Sequence, residues 1–284
     1  MRVAHPVRLA RTARATRRAL AKAPVPERWA SEAVKTQLRL AAGRVGREDG
    51  LVQVKVGRFD VTGFSISSLA YLHREIFVDL QYYFKAARPD PLVVDGGSNI
   101  GMSVLFFKAL YPGARVLAFE PAQPAHDLLV RNVDANGLRD VEVHRAALGR
   151  EDGEVPFFED RDDPATFRMS TRSERLPGTA SPVPQRRLSQ LLREEVDLLK
   201  LDIEGSEDDV LAELVDSQAV SRIRQLVVEY HHQLDPTRDF LGTFLECLRQ
   251  QGFGYQVSAK GPVANRAAAE PAFQDVLVHA RRYQ

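Results

Sequence analysis

Cysteine is nearly absent from this chain: Cys247 is the only one in 284 residues. One thiol closes no internal disulfide, and there is no cluster to hold zinc. Cys247 reads as a small buried residue on a helix, and a reducing cytoplasm is the expected compartment. Long apolar runs are also lacking. No stretch of about 18 apolar residues occurs, which excludes a membrane-spanning helix. The N-terminus has no signal-peptide apolar core. An excess of one charge is missing too. Lys and Arg number 39 against 38 Asp and Glu, a net of +1, so nucleic acid is not an expected partner of the molecule as a whole. No internal repeat is visible.

What is present is an ordinary globular balance, 44% hydrophobic and 27% charged. The length predicts one large domain with an extension. Charge is uneven at one end. Before Glu27 there is no acid, yet Arg2, Arg8, Arg11, Arg14, Arg17, Arg18 and Lys22 all occur. The plainer reading is a solvated or poorly ordered basic helix. The other readings are a transit-like leader or a helix touching an anionic membrane peripherally. Residues 1–50 are therefore set apart as a basic helical extension, and 51–284 as the main domain.

Within that domain, 51–90 reads as a β-hairpin and helix lead-in, with strands at Leu51–Val56 and Phe59–Ile66 and a helix from Leu69 to Phe84. Strands and helices then alternate. Strands are expected at Pro91–Asp95, Arg115–Phe119, Val141–Ala147, 196–202 and Ile223–Val228, with Tyr255–Ser258 and Phe273–His279 closing the sheet. Helices are expected at Asn99–Leu110, Pro124–Asn136, Glu207–Val215 and Phe240–Gln250. This alternation predicts an α/β, Rossmann-like, doubly wound sheet. Residues 150–187 interrupt it as an insertion, read as substrate-side or as surface elaboration.

Four strand ends carry chemistry. Asp95-Gly96-Gly97-Ser98-Asn99-Ile100-Gly101 follows a buried strand and opens a helix, the context in which glycines let a ligand approach the backbone. A dinucleotide pyrophosphate would be repelled by Asp95, whereas S-adenosylmethionine offers an ammonium and a sulfonium that suit a carboxylate. Glu120, before Pro121, lies at the second strand end, where an acid accepts ribose hydroxyls from either cofactor. The fourth strand ends in Asp202-Ile203-Glu204-Gly205-Ser206-Glu207. There Ser206 is placed to cap the next helix, and Glu207 to complement its dipole. The fifth ends in Glu229-Tyr230-His231-His232. One of that His pair is a candidate base, the alternative being a solvated loop pair.

Together these pieces resemble the FkbM family of methyltransferases. The strongest is Asp197-Leu198-Leu199-Lys200-Leu201-Asp202-Ile203-Glu204-Gly205-Ser206-Glu207. It is joined by Val94–Gly101, Phe119-Glu120-Pro121, Asn132 with Asn136, Ala147-Leu148-Gly149, Val227-Val228-Glu229 and Glu75–Tyr82. The likeness spans roughly Leu51 to His279. It implies a class I methyltransferase fold of seven strands, the last antiparallel, and O-methylation of a hydroxyl on a small natural product, sugar or glycan. It also implies that Asp95, Gly97 and Asn99 line the donor's methionine end and Glu120 its ribose. Gly96, Ser98, Gly101, Pro121, Ala147 and Asp202 complete the expected donor site. The sequence departs from the family in having Gly97-Ser98 where Gly-Ala is common.

An alcohol must lose its proton to a positioned base or to a bound metal. Asp202, Glu204, Glu229 and His231 are the candidates for the first. Asp202, Glu204 and Glu229 would be the oxygen ligands of a divalent metal in the second. Two rivals stay open: an NAD(P)-dependent oxidoreductase, which would share Glu120, and a noncatalytic adenosyl-ligand-binding module.

Overall fold

Why the short apolar runs become strands is visible in where alternate residues go. The computed structural model describes residues 6–43, 45–159, 169–170, 180–232, 240–259 and 274–283. Two helices come first, α1 (Pro6–Leu20) and α2 (Glu27–Ala41), with Pro24 and Pro26 between them. A three-stranded antiparallel meander follows: β1 (Gly46–Glu48), β2 (Leu51–Val56) and β3 (Phe59–Gly63). Ser65 then caps α3 (Ile66–His73) by accepting a hydrogen bond from the Ser68 amide at 3.1 Å.

The helix expected to continue to Phe84 stops early. Regular turns end at His73, and one wide π turn runs from Arg74 to Val78. The Asp79 amide reaches back to Arg74 O, and Leu80 adopts a left-handed φ of 54°. Packing overrides the helical spacing here. Trp29 of α2 stacks on Phe77 and donates to its carbonyl at 2.8 Å, while Gln37 of α2 bonds His73 Nδ1 at 2.9 Å. The extra residue in a π turn accompanies Glu75 and Ile76 on the roof of a cleft.

The main domain continues with β4 (Leu92–Gly96), α4 (Met102–Leu110), β5 (Arg115–Phe119), α5 (Gln123–Ala135) and β6 (Val141–His144). Next comes β7 (Ala147–Leu148), and the insertion supplies β8 (Gly153–Glu159), β9 (Met169–Ser170) and β10 (Ala180–Arg186). The order closes with β11 (Leu198–Leu201), α6 (Glu207–Asp216), β12 (Gln225–His232), α7 (Leu241–Gln250), β13 (Phe253–Ala259) and β14 (Gln274–Arg282).

The large sheet has seven strands in the order β13-β14-β12-β11-β4-β5-β6. All neighbours are parallel except β14, which is antiparallel to both β12 and β13. This is the α/β architecture with one reversed strand that the sequence led us to expect. Val93 and Leu198 join the core under α2 and α4, and their neighbours Val94 and Leu199 join the core under α6 and α7. Successive side chains on a strand point to opposite faces, so a strand covered on both faces must be apolar throughout.

Three strand boundaries differ most from the sequence reading. The lead-in strand expected to reach Ile66 stops at Gly63, because Ser65 caps α3 and Ile66 already belongs to that helix. The third strand stops at His144; Ala147 and Leu148 leave the large sheet to pair with β10. The fifth runs on to His232, because β14 pairs with it along its length, Glu229 against Leu277 and His231 against Asp275. The His pair is therefore strand, not loop. Phe273, expected to open the last strand, lies outside the described residues. In the insertion, β8 and β10 form an antiparallel pair that buries Phe157 and Val183 with Ala147 and Ala122.

The lead-in is tied to this core by amides. Asn132 Oδ1 accepts from the Thr62 amide and its Nδ2 donates to Thr62 O and Ile100 O, all within 2.9 Å. Asn136 repeats the pattern one turn later on Asp60. This two-rung ladder from α5 to β3 is a structural account of the Asn132 and Asn136 pair. Among the described residues, no helix is long and apolar enough to cross a membrane.

Candidate active site

Strand order reverses between β4 and β11, and open α/β sheets bind ligands at such a point beyond the strands' carboxyl ends. A cleft lies there, roofed by Tyr71, Glu75 and Ile76 and floored by Gly97, Asp202 and Glu204. Gly97 has φ 79°, and a Cβ built on it would sit 1.8 Å from Asp202 O. No side chain fits there, so β4 and β11 meet through bare backbone. Asn99 follows with φ 48° and its side-chain Oδ1 accepts from the Ile100 amide. α4 therefore starts at Met102, three residues later than expected.

Glu120 directly follows β5, buried, with its two oxygens accepting from the amides of Asn99 at 2.8 Å and Ala122 at 2.9 Å. Burial pushes its pKa up to about 7 despite those two amides. The carboxylate lines the cleft wall beside Pro121. Ser98 and Ala147 line it as well.

Three of the residues expected around the donor stand behind this wall. Asp95 is fully buried. Its Oδ2 accepts from Ser103 Oγ at 2.5 Å, and its Oδ1 lies 3.2 Å from Lys200 Nζ. It was expected to face the donor's cation, but the protein's own lysine fills that part. Gly96 is packed against Leu148 and Leu201, and Gly101, at φ 87°, against Leu129.

Lys200 is the hub beneath the cleft. It is 1% exposed and donates to Gly96 O at 3.0 Å and Gly97 O at 2.5 Å. Asp202 Oδ2 lies 3.7 Å away, and the Tyr82 ring centre 5.0 Å. Burial pulls the lysine pKa down, but Asp95 and Asp202 outweigh it and the net shift is upward, so the cation is kept. Tyr82 OH donates to Asp202 Oδ2 at 2.8 Å.

His231 sits between two carboxylates. Its Nδ1 is 2.8 Å from Glu207 Oε1 and its Nε2 is 2.9 Å from Glu204 Oε2. It is 5% exposed as a residue, and it is not among the side chains facing the cleft. Burial lowers its pKa, but Glu204 and Glu207 outweigh that and raise it well above the usual value. An imidazolium held this way positions Glu204 instead of receiving a proton from an alcohol. Glu207 does more than complement a helix dipole: its Oε1 also accepts from the amides of Gly205 and Ile203. Ser206, expected to cap α6, makes no side-chain capping bond, since Glu207 already holds that turn.

Glu204 faces the cleft from a left-handed backbone, φ 58°. Side chains rarely adopt that conformation, and non-glycine residues held there cluster at functional sites. Glu229 is also on the wall, accepting from Gln81 Nε2 at 2.6 Å. The sequence placed the metal-type ligands at Asp202, Glu204 and Glu229. The geometry instead brings ligand atoms of Asp202, Glu229 and His231 within 4.8 Å of one another. His231 Nε2 could join a metal only by giving up Glu204.

Tyr71, Glu75, Tyr82 and Asp275 also line the cleft and were given no role from sequence. Glu75 and Tyr82 stood inside a stretch that carried the resemblance. Asp275 had no local signal; only the pairing of β14 with β12 brings it opposite His231. Of the described side chains lining the cleft, six are carboxylates and one, Lys200, is a cation.

Comparisons with known proteins give the family. The methyltransferase FkbM domain is matched over residues 95–255. The chain is 32% identical to Methyltransferase 1 of Beauveria bassiana over 208 residues, covering 66% of this chain and 82% of that one. It is 31% identical to 31-O-demethyl-FK506 methyltransferase FkbM of Streptomyces tacrolimicus over 216 residues, covering 64% and 81%. It is 26% identical to the 2-O-methyltransferase NoeI of Sinorhizobium fredii over 180 residues, covering 57% and 70%. With that domain matched across more than half its length, around the strand ends that build the cleft, the chain belongs to the FkbM family of methyltransferases.

Proposed function

We propose that the chain transfers the methyl group of S-adenosylmethionine to a hydroxyl of a small natural product, sugar or glycan. The observation that carries the adenosyl-ligand site is Glu120, and the acids around it carry the choice of donor. A buried carboxylate with two amide donors and a pKa near 7 gains from further hydroxyl donors, which a ribose diol supplies. The acidic wall favours a donor bearing an ammonium and a sulfonium. It opposes a dinucleotide pyrophosphate, which argues against the oxidoreductase. Two relatives are named for methylating oxygen, which supports a hydroxyl acceptor.

When bound, the donor supplies an electrophilic methyl group. The chain's residues do the rest. Gly97, Ser98 and Asn99 bring backbone to the donor's methionine end, and Glu120 holds the ribose. Asp202, fixed by Tyr82, and Glu229, fixed by Gln81, orient the acceptor. Glu204 takes the hydroxyl proton as the oxygen attacks. His231 behind it, braced by Glu207, holds that carboxylate in place. A cleft with these acids intact is poorly explained as a noncatalytic binding module.

The donor reading has a pH signature. Glu120 has a folded pKa raised above the ordinary carboxylate value, so the free protein holds its proton up to about pH 7. A ribose diol donating to the ionised form lowers that pKa and releases the proton. Affinity for 5′-methylthioadenosine, which has the ribose but no amino-acid group, should therefore rise from pH 6 to pH 8. Titration calorimetry in two buffers of different ionisation enthalpy should report proton release near pH 6. In Glu120→Gln the slope should vanish and binding weaken. A flat profile in the unmodified protein removes Glu120 from the ribose site. The same linkage makes the free fold lose stability as pH rises from about 4.5 to 7.

A further inference from the structure

The basic first segment plays no part in the cleft, yet it is a built element. α1 buries Thr16 and Leu20 and half-buries Leu9 and Ala13. Leu20 packs with Ala33 of α2 and Val78 of the π turn, and Trp29 and Leu80 pack against them. At 3.6 residues per turn, the opposite side of the helix carries Arg11, Arg14 and Arg18, flanked by Arg8 and Arg17. All five are exposed, and Lys22 continues the row beyond the helix end. Among the described residues, none of these six cations makes an ion pair, whereas exposed basic residues elsewhere, such as Arg115 and Arg249, do pair. Seven of the 39 cations and none of the 38 acids lie before Glu27, which leaves the remainder with 32 cations against 38 acids, a net of −6. The molecule is thus polarised, with a straight cationic ridge about 20 Å long on an acidic body.

We propose that the outward face of α1 is an electrostatic docking surface for an anionic lipid bilayer. A flat anionic plane can meet one convex ridge without approaching the acidic body. A nucleic acid strand fits less well: the exposed face of α1 carries Arg and Ala, with Pro6 and Val7 at its start, and no aromatic side chain to stack on a base, and the acidic cleft repels phosphates. The apolar side of α1 is already spent on α2 and the π turn, so binding is by charge at the headgroups, without insertion of the helix. Because α1 packs on the turn that roofs the cleft, docking would set the cleft at a fixed orientation to the membrane.

Flotation of the full chain with phosphatidylcholine vesicles, with and without about one-third phosphatidylserine, tests this. Each cation near such a surface favours binding several-fold, so partitioning onto the anionic vesicles should exceed that onto neutral ones by about tenfold or more. It should disappear near 1 M salt, where the screening length falls to about 3 Å. The variant Arg8→Gln, Arg11→Gln, Arg14→Gln, Arg17→Gln, Arg18→Gln should lose it and keep unaltered affinity for 5′-methylthioadenosine. Equal binding to neutral vesicles, binding that survives high salt, undiminished binding by the variant, or tighter binding to RNA than to anionic vesicles would each overturn the proposal.

Discussion

Replacing Glu204 by Gln should lower kcat by roughly 10²–10⁴-fold and leave the dissociation constant of S-adenosylhomocysteine within about threefold. The amide keeps the size of the side chain and can still hydrogen-bond His231, 2.9 Å away. What it loses is the capacity to take a proton. Donor binding rests on other residues, Glu120 and the Gly97–Asn99 backbone, so it should be spared. Single-turnover methylation with a hydroxylated acceptor, beside calorimetry with the donor product, separates the two effects. Full activity in Glu204→Gln would remove Glu204 from the chemistry and leave Asp202 or Glu229 as the proton acceptor. Loss of both activity and donor binding would mean that the residue holds the loop's shape.

The largest loss of stability should come from Lys200→Met. Breaking a buried ion pair by removing one partner costs about 3–5 kcal/mol. Here the remaining partner, Asp95, is 0% exposed and, among the described residues, keeps only Ser103 as a side-chain donor. The carbonyls of Gly96 and Gly97 lose their donor as well. For a chain of this size that cost lowers Tm by roughly 10 °C. The double variant Asp95→Asn, Lys200→Met should recover part of the loss, because the stranded charge is gone. Thermal unfolding followed by circular dichroism measures all three proteins. An unshifted Tm in Lys200→Met would show that the lysine does not brace the β4 and β11 strand ends.

Much of the site was legible because strand ends are local in sequence. Apolar runs ending in Asp95, Glu120 and Asp202 announce buried strands with chemistry at their tips. Glu204 and Glu229 could be named as cleft acids for the same reason. Direction and partnership were not legible. Asp95 looked like a ligand for the donor's cation, and Lys200, although inside the stretch that carried the resemblance, was given no role. Only the pairing of β4 with β11, Asp95 against Lys200, reveals that each neutralises the other. His231 looked like a free base until the turn before α6 set Glu204 and Glu207 on its two nitrogens.

What the sequence alone determined is the alternation of strands and helices, the order of acids and glycines at the strand ends, and the charge asymmetry of the first 26 residues. Periodicity and composition are properties of a segment, and they survive whatever the segment packs against. What only the tertiary structure decided is which acids face the cleft, which brace a cation behind it, and why the helix expected after Leu69 gives way to a π turn. Those depend on contacts such as Trp29 with Phe77, 48 residues apart, and Gln81 with Glu229, 148 apart. Burial and charge pairing between such distant residues override local preference, because an unpaired charge in the interior costs more than a helical turn is worth.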